Sequence, residues 1–128
     1  MIEQKHILGG FRQITRVPAH AAATATESYP IFSAPFACSI TAIKINPITA
    51  VTGADTNTTH LNIDDASGEI ADLDLTSGND LTANVDNTIT ISTATTLTKG
   101  QNLELEFEKI GSGLAVPASL MVIEYDAN

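Results

Sequence analysis

The sequence is poor in several residue types, and each shortage excludes a class of protein. Of 128 residues, one is cysteine, none is tryptophan and only 16 % are charged. A single cysteine forms no intramolecular disulfide and supplies no cysteine-rich zinc site, so Cys38 is predicted to be a small buried side chain. Low charge combined with 43 % hydrophobic residues argues against disorder. No apolar run reaches the roughly 18 residues of a membrane span.

Basic residues are also scarce, and they are unevenly placed. The net charge is −9, which argues against a protein that binds nucleic acid by neutralising phosphates. Residues 1–20 nevertheless carry a net +2, so this stretch is predicted to be an N-terminal arm, followed by one domain over residues 21–128. Two interpretations of the arm stay open: it extends onto a partner, or Phe11–Val17 forms an ordinary first strand within the domain.

What is abundant is the β-branched side chain, with 17 threonines, 14 isoleucines and 5 valines. Such side chains favour strands over helices, and the short runs alternate with turn residues. The clearest run is Leu103–Glu108, where apolar and acidic residues alternate. Thr88–Ser92 is predicted to be one strand, and Ser119–Tyr125 is apolar on both faces, which predicts a central or interface strand. The pattern predicts an all-β fold, an antiparallel β-sandwich or jelly roll of about seven or eight strands.

No combination of residues indicates catalysis. Glu104, Glu106 and Glu108 share a strand face at a spacing compatible with paired glycosidase carboxylates, but nothing near them marks a cleft, so a solvated face is favoured. The acidic stretch 64–69 lacks the spacing of a calcium loop, and His60 lacks a second zinc ligand nearby. A nucleophile elbow and a phosphate-binding loop are also missing. We therefore expect no enzyme, no metal and no cofactor.

Two stretches carry a resemblance to a known family. Phe32-Ser33-Ala34-Pro35-Phe36 leads towards Val51-Thr52-Gly53-Ala54-Asp55, and Lys109-Ile110-Gly111-Ser112-Gly113 leads to Val122-Ile123-Glu124-Tyr125. This pairing, over residues 32–63 and 97–125, resembles the head-decoration (capsid cement) proteins of tailed bacteriophages. The resemblance implies a homotrimer that binds the major capsid protein on the outer surface of the virion and stabilises the shell. It also implies synthesis in the cytoplasm of a host bacterium, and no nucleic acid or membrane partner is expected.

The resemblance directs attention to two sets of residues. We predict shell contact through Phe11, Arg12 and Arg16, because a basic arm suits an acidic patch on the shell. We predict self-contact through one set on the last strand: Met121, Ile123 and Tyr125. The alternative function is a receptor- or carbohydrate-binding β-module of a phage tail fibre or head fibre, which the absence of tryptophan disfavours.

Overall fold

The computed structural model describes residues 10–128, which form ten strands in two antiparallel sheets and no helix. Seven strands are seven to ten residues long: β1 (Phe11–Val17), β2 (Glu27–Ser33), β3 (Cys38–Pro47), β4 (Thr58–Asp65), β5 (Gly68–Asp74), β9 (Asn102–Ile110) and β10 (Ser119–Ala127). Three have two residues each: β6 (Asn87–Thr88), β7 (Thr90–Ile91) and β8 (Thr96–Leu97). The predicted all-β sandwich is confirmed. The sequence predicts about seven or eight strands; seven are long, and the three two-residue strands bring the total to ten.

Each sheet has five strands. The first sheet has the order β1-β10-β3, with the short strands β6 and β8 both paired to β3. The second sheet has the order β2-β9-β4-β5-β7. Strand β10 therefore lies between two neighbours, which confirms the predicted central strand.

The core lies between the sheets and is built by alternation along the strands. Leu103, Leu105 and Phe107 of β9 are fully buried, while the glutamates between them point outwards. Met121 and Ile123 of β10 face them from the first sheet and are also fully buried. The same core cluster includes Cys38, which confirms that the lone cysteine is a buried small side chain.

The first strand settles one of the open interpretations. Phe11–Val17 pairs with β10 along its whole length, from Phe11 opposite Tyr125 to Val17 opposite Ser119. This segment is a strand of the sandwich and not an extended arm. Residues 1–9 lie outside the described residues, so the predicted arm remains a prediction for that part.

The edges of the two sheets are tied together on one side. The Gln13 carboxamide of β1 donates a hydrogen bond to the Ser33 carbonyl of β2 (2.7 Å) and accepts one from the Ser33 amide (3.3 Å). The Thr15 hydroxyl donates to the carbonyl of Ile31 (2.9 Å). These side chains join edge strands that belong to different sheets.

The predicted single strand over Thr88–Ser92 is wrong, because this run is divided between the sheets. Residues 87–88 pair with β3 in the first sheet, and residues 90–91 pair with β5 in the second. Ile89, fully buried between them, is where the chain crosses from one sheet to the other. Alternation of apolar residues cannot distinguish one strand from such a crossing, since both keep the isoleucines inward.

Candidate functional site

The outer face of the second sheet is acidic. Register places Glu104, Glu106 and Glu108 of β9 opposite Asp64, Asn62 and His60 of β4. The carboxylates of β5 continue the surface on the other side of β4. We define the acidic face as His60, Asn62 and seven carboxylates: Asp64, Glu69, Asp72, Asp74, Glu104, Glu106 and Glu108.

Two side chains in the middle of the acidic face, His60 and Asn62, contact its carboxylates. The Nδ1 atom of His60 lies 3.3 Å from Asp74 and 3.2 Å from Glu108. The Asn62 amide donates hydrogen bonds to Glu106 (3.0 Å) and Glu108 (3.3 Å). Polar side-chain contacts thus join β4 to β5 and β9, and those of Asn62 with β9 are hydrogen bonds.

Asp64 and Glu69 lie on the same face among other carboxylates. Burial raises the pKa of Asp64, and the neighbouring Glu106 and Glu104 raise it further. The pKa of Glu69 is also raised, mainly because the carboxyl is partly desolvated and next because the Asp72 carboxylate is near. No group of three or more histidine, cysteine or carboxylate side chains within residues 10–128 is arranged to hold a metal ion. Mutual repulsion is therefore the main electrostatic property of this face.

A second histidine lies inside the sandwich. His20 is 1 % exposed, stacks on the Phe107 ring (centroids 4.8 Å apart) and places Nδ1 3.0 Å from the Glu27 carboxylate. The hydrogen bond from His20, supported by one from Tyr29, lowers the pKa of Glu27. The Nε2 atom of His20 has no hydrogen-bond partner among the described residues. This histidine packs and anchors its segment, whose backbone bridges to Val116.

The outer face of the first sheet is different in kind. Its side chains form rows across β1, β10 and β3: Arg12, Glu124 and Ala42, then Ile14, Val122 and Lys44, then Arg16, Leu120 and Asn46. We define the basic–apolar face as Arg12, Ile14, Arg16, Lys44, Leu120 and Val122, and the carboxylate of Glu124 lies among them, paired with Lys44. It holds three of the six basic residues of a chain whose net charge is −9.

Apolar exposure is concentrated at this same sheet. Ile14 is 51 % exposed and Leu120 is 37 % exposed on the face itself, and Ile48 (61 %) follows the end of β3. Val85 completes the set of exposed large apolar side chains among residues 10–128, in a segment bonded to the end of β3. A groove of about 520 Å³ joins Arg16, Pro18, Ile48, Ala118 and Leu120. This grouping of exposed apolar residues makes the basic–apolar face the candidate site for contact with another macromolecule.

The predicted shell-contact residues divide into two kinds. Arg12 and Arg16 are exposed on the basic–apolar face, one row on either side of Ile14. Phe11 points to the opposite side of β1, where its half-buried ring stacks on Tyr125 (5.6 Å) and meets Phe36 edge-on (5.3 Å). Phe11 therefore belongs to an aromatic cluster of the core, because alternation along β1 sends it inwards.

The predicted self-interface residues need correction. Met121 and Ile123 are fully buried and Tyr125 is 6 % exposed, all within a single chain. Their side chains fill the space between the two sheets and offer no surface to a second copy. The outward positions of β10 are Leu120, Val122 and Glu124.

Sequence reasoning missed Ile14, Ile48 and Leu120 as surface residues. The alternation Arg12-Gln13-Ile14-Thr15-Arg16 was a usable signal, because it places an apolar side chain between two cations on one face. The contribution of Leu120 could not be found without the register that places it beside Arg16.

Comparison with known proteins does not identify a family for this chain. No family model matches the chain, and no curated protein matches it. Among solved structures, the chain is similar to one described as "Crystal structure of infectious bursal disease virus VP2 subviral particle", with 14 % identity and a TM-score of 0.37. The similarity covers 91 % of this chain and 33 % of that chain, so the chain spans about a third of its length. No helix in the described part of the chain is long and apolar enough to cross a membrane.

Proposed function

We propose that this chain is a non-enzymatic structural protein of a bacteriophage virion that binds the outer surface of the capsid as a decoration, or cement, protein. The observation that carries the proposal is the basic–apolar face. Exposed isoleucine and leucine beside arginine are typical of the centre of a protein–protein interface, and they occur here on an otherwise acidic chain. The sequence resemblance to head-decoration proteins supports the same partner, the major capsid protein.

Capsid binding is tested directly by sedimentation. Purified chain is mixed with heads of the phage that encodes it, prepared without the protein, and the bound fraction is measured after pelleting. The proposal expects saturable binding and heads that rupture at a higher temperature when decorated, because a ligand of the intact shell stabilises it by mass action. Heads that leave the chain in the supernatant at micromolar concentration contradict the proposal.

The trimer that the resemblance implies is a separate part of the proposal. Light scattering during size-exclusion chromatography is expected to give about three times the chain mass of 13.4 kDa. The contacts between copies then lie outside Met121, Ile123 and Tyr125, which the core of each chain already uses. A monomer at micromolar concentration contradicts a trimer that forms before binding. Assembly on the shell is then tested by measuring the ratio of bound chain to shell protein on decorated heads. Selective binding to a glycan array would instead favour the carbohydrate-binding alternative.

A further inference from the structure

The two outer faces of the sandwich can be compared as docking surfaces. The acidic face has seven carboxylates, and no large apolar side chain among residues 10–128 is exposed there. The basic–apolar face has Ile14 exposed between Arg12 and Arg16 on β1, and Leu120 exposed opposite Arg16 on β10. Burying the first face removes like charges from water, which costs free energy, whereas burying the second removes apolar surface, which is favourable.

The apolar side chains of the basic–apolar face are Ile14, Val122 and Leu120, here called the apolar strip. Burying the strip against a partner favours docking. Val122 lies between Ile14 on β1 and Lys44 on β3, and it is already 4 % exposed, so the centre of the face is dry. The groove with Ile48 extends this apolar strip beyond the end of the sheet. A partner that covers the strip completes a desolvated centre surrounded by charge, which is the usual anatomy of a specific interface.

Charge selects the kind of partner. Arg12 and Arg16 lie on either side of Ile14. Lys44 lies on β3, opposite Val122, and forms an ion pair with Glu124 (2.6 Å). Arginines at such positions bind carboxylates through paired hydrogen bonds. The matching surface therefore has carboxylates at its margin and apolar side chains at its centre.

A second copy of this chain matches only half of that description. Its acidic face supplies carboxylates but no exposed large apolar side chain to meet Ile14 and Leu120. Its basic–apolar face supplies apolar side chains but brings two sets of cations together. A different protein with both features is the better match.

We propose that the basic–apolar face docks onto an acidic, apolar-bearing surface of the shell protein, so that the first sheet lies against the shell and the acidic face points to solvent. This inference rests on the proposed function, because it identifies which surface of the chain contacts the capsid. It also determines an orientation that capsid binding alone does not specify.

Paired cysteine variants test the orientation. Cys38 is fully buried, so an introduced thiol is the reactive one. Ile14→Cys places it on the basic–apolar face, and Ser28→Cys places it on the outer face of the second sheet, opposite Glu106. Both variants are treated with a polyethylene glycol maleimide, free and bound to heads, and the labelling rates are compared.

The expected result is a slowing of roughly tenfold or more on the head for Ile14→Cys, and a change below about twofold for Ser28→Cys, because an interface excludes the reagent. The reverse pattern, or no protection of either site on decorated heads, overturns the orientation. Protection of both sites also overturns it, since it indicates that copies pack on one another. If the wild-type chain fails to sediment with heads, the proposed function falls and the orientation falls with it.

A charge reversal supplies a second test with a matched control. Arg16→Glu and Lys99→Glu change the net charge equally, but only Arg16 lies on the basic–apolar face, while Lys99 is exposed in the turn before β9. We expect Arg16→Glu to weaken head binding by roughly tenfold or more, and Lys99→Glu by less than about twofold. Equal effects of the two variants, each with an unchanged thermal unfolding curve, would overturn the assignment.

Discussion

The two sheets of this sandwich share a construction rule and differ in what they present to solvent. In β9 the outward positions are Glu104, Glu106 and Glu108, and in β1 they are Arg12, Ile14 and Arg16. Both strands contribute to the same core, but β1 does so only through Val17 and the half-buried Phe11, since its other inward side chains, Gln13 and Thr15, hydrogen-bond to β2. The difference shows that strands of one sandwich can present charge alone on one outer face and exposed apolar side chains beside cations on the other, and the proposed docking surface is the second of these faces.

The largest contrast is expected within the single strand β10. Ile123→Ala removes a fully buried side chain and is expected to lower the free energy of unfolding by about 2–5 kcal/mol, because it leaves a cavity. Leu120→Ala, on the outward side, is expected to cost about 1 kcal/mol or less. Urea titration followed by circular dichroism measures both. Similar losses for the two variants would contradict the assignment of inner and outer faces.

The free energy of unfolding is expected to depend on pH through the Glu27 carboxylate of the second sheet. The pKa of Glu27 is lowered by its hydrogen bond from His20, so the stabilisation that this carboxylate contributes is complete above its unfolded pKa of about 4.5. That stabilisation is lost as pH falls through the lower, folded pKa. Thermal unfolding between pH 2 and pH 7 is therefore expected to show a smaller acid loss for Glu27→Gln than for the wild type. An identical acid loss would show that the pair contributes nothing.

The smallest effect is expected from single charges, and its sign should differ between the faces. The pKa of Asp64 is raised by burial and by Glu106 and Glu104, so its ionisation opposes folding. Asp64→Asn is expected to stabilise the protein by roughly 0.5 kcal/mol at pH 7, because it removes repulsion between facing carboxylates. The gain should vanish below about pH 4, where the wild-type carboxyl is itself protonated.

Glu124→Gln is the matched variant on the first sheet. It removes the partner of Lys44, whose pKa the Glu124 carboxylate raises, so a small loss of stability is expected instead of a gain. Urea titrations at pH 7 and pH 3 measure the free energy of unfolding of Asp64→Asn and Glu124→Gln relative to the wild type. A loss for Asp64→Asn, or a gain for Glu124→Gln, would contradict the described difference between the faces.

Sequence reasoning reached the fold because the core strands alternate clearly, as Leu103–Glu108 does. It could not place Thr88–Ser92, because a chain that crosses between sheets at Ile89 keeps the same apolar spacing as one strand. It singled out Arg12 and Arg16 from their charge; both are exposed on one face of β1, and their contact with a shell stays a prediction. It chose the wrong side of β10, because when both faces of a strand are apolar, only pairing with β1 and β3 determines which side meets the other sheet.

The side chain of Gln13 has a consequence for how this protein behaves when concentrated. A carboxamide carries an N–H donor beside a carbonyl acceptor, as a peptide group does, and here one N–H and the oxygen bond to the backbone of Ser33. It therefore imitates, with one side chain, the residue that an invading strand would place beside β2. Open strand edges are templates for amyloid-like stacking, and Gln13 and Thr15 occupy this edge from within the chain at Ser33 and Ile31.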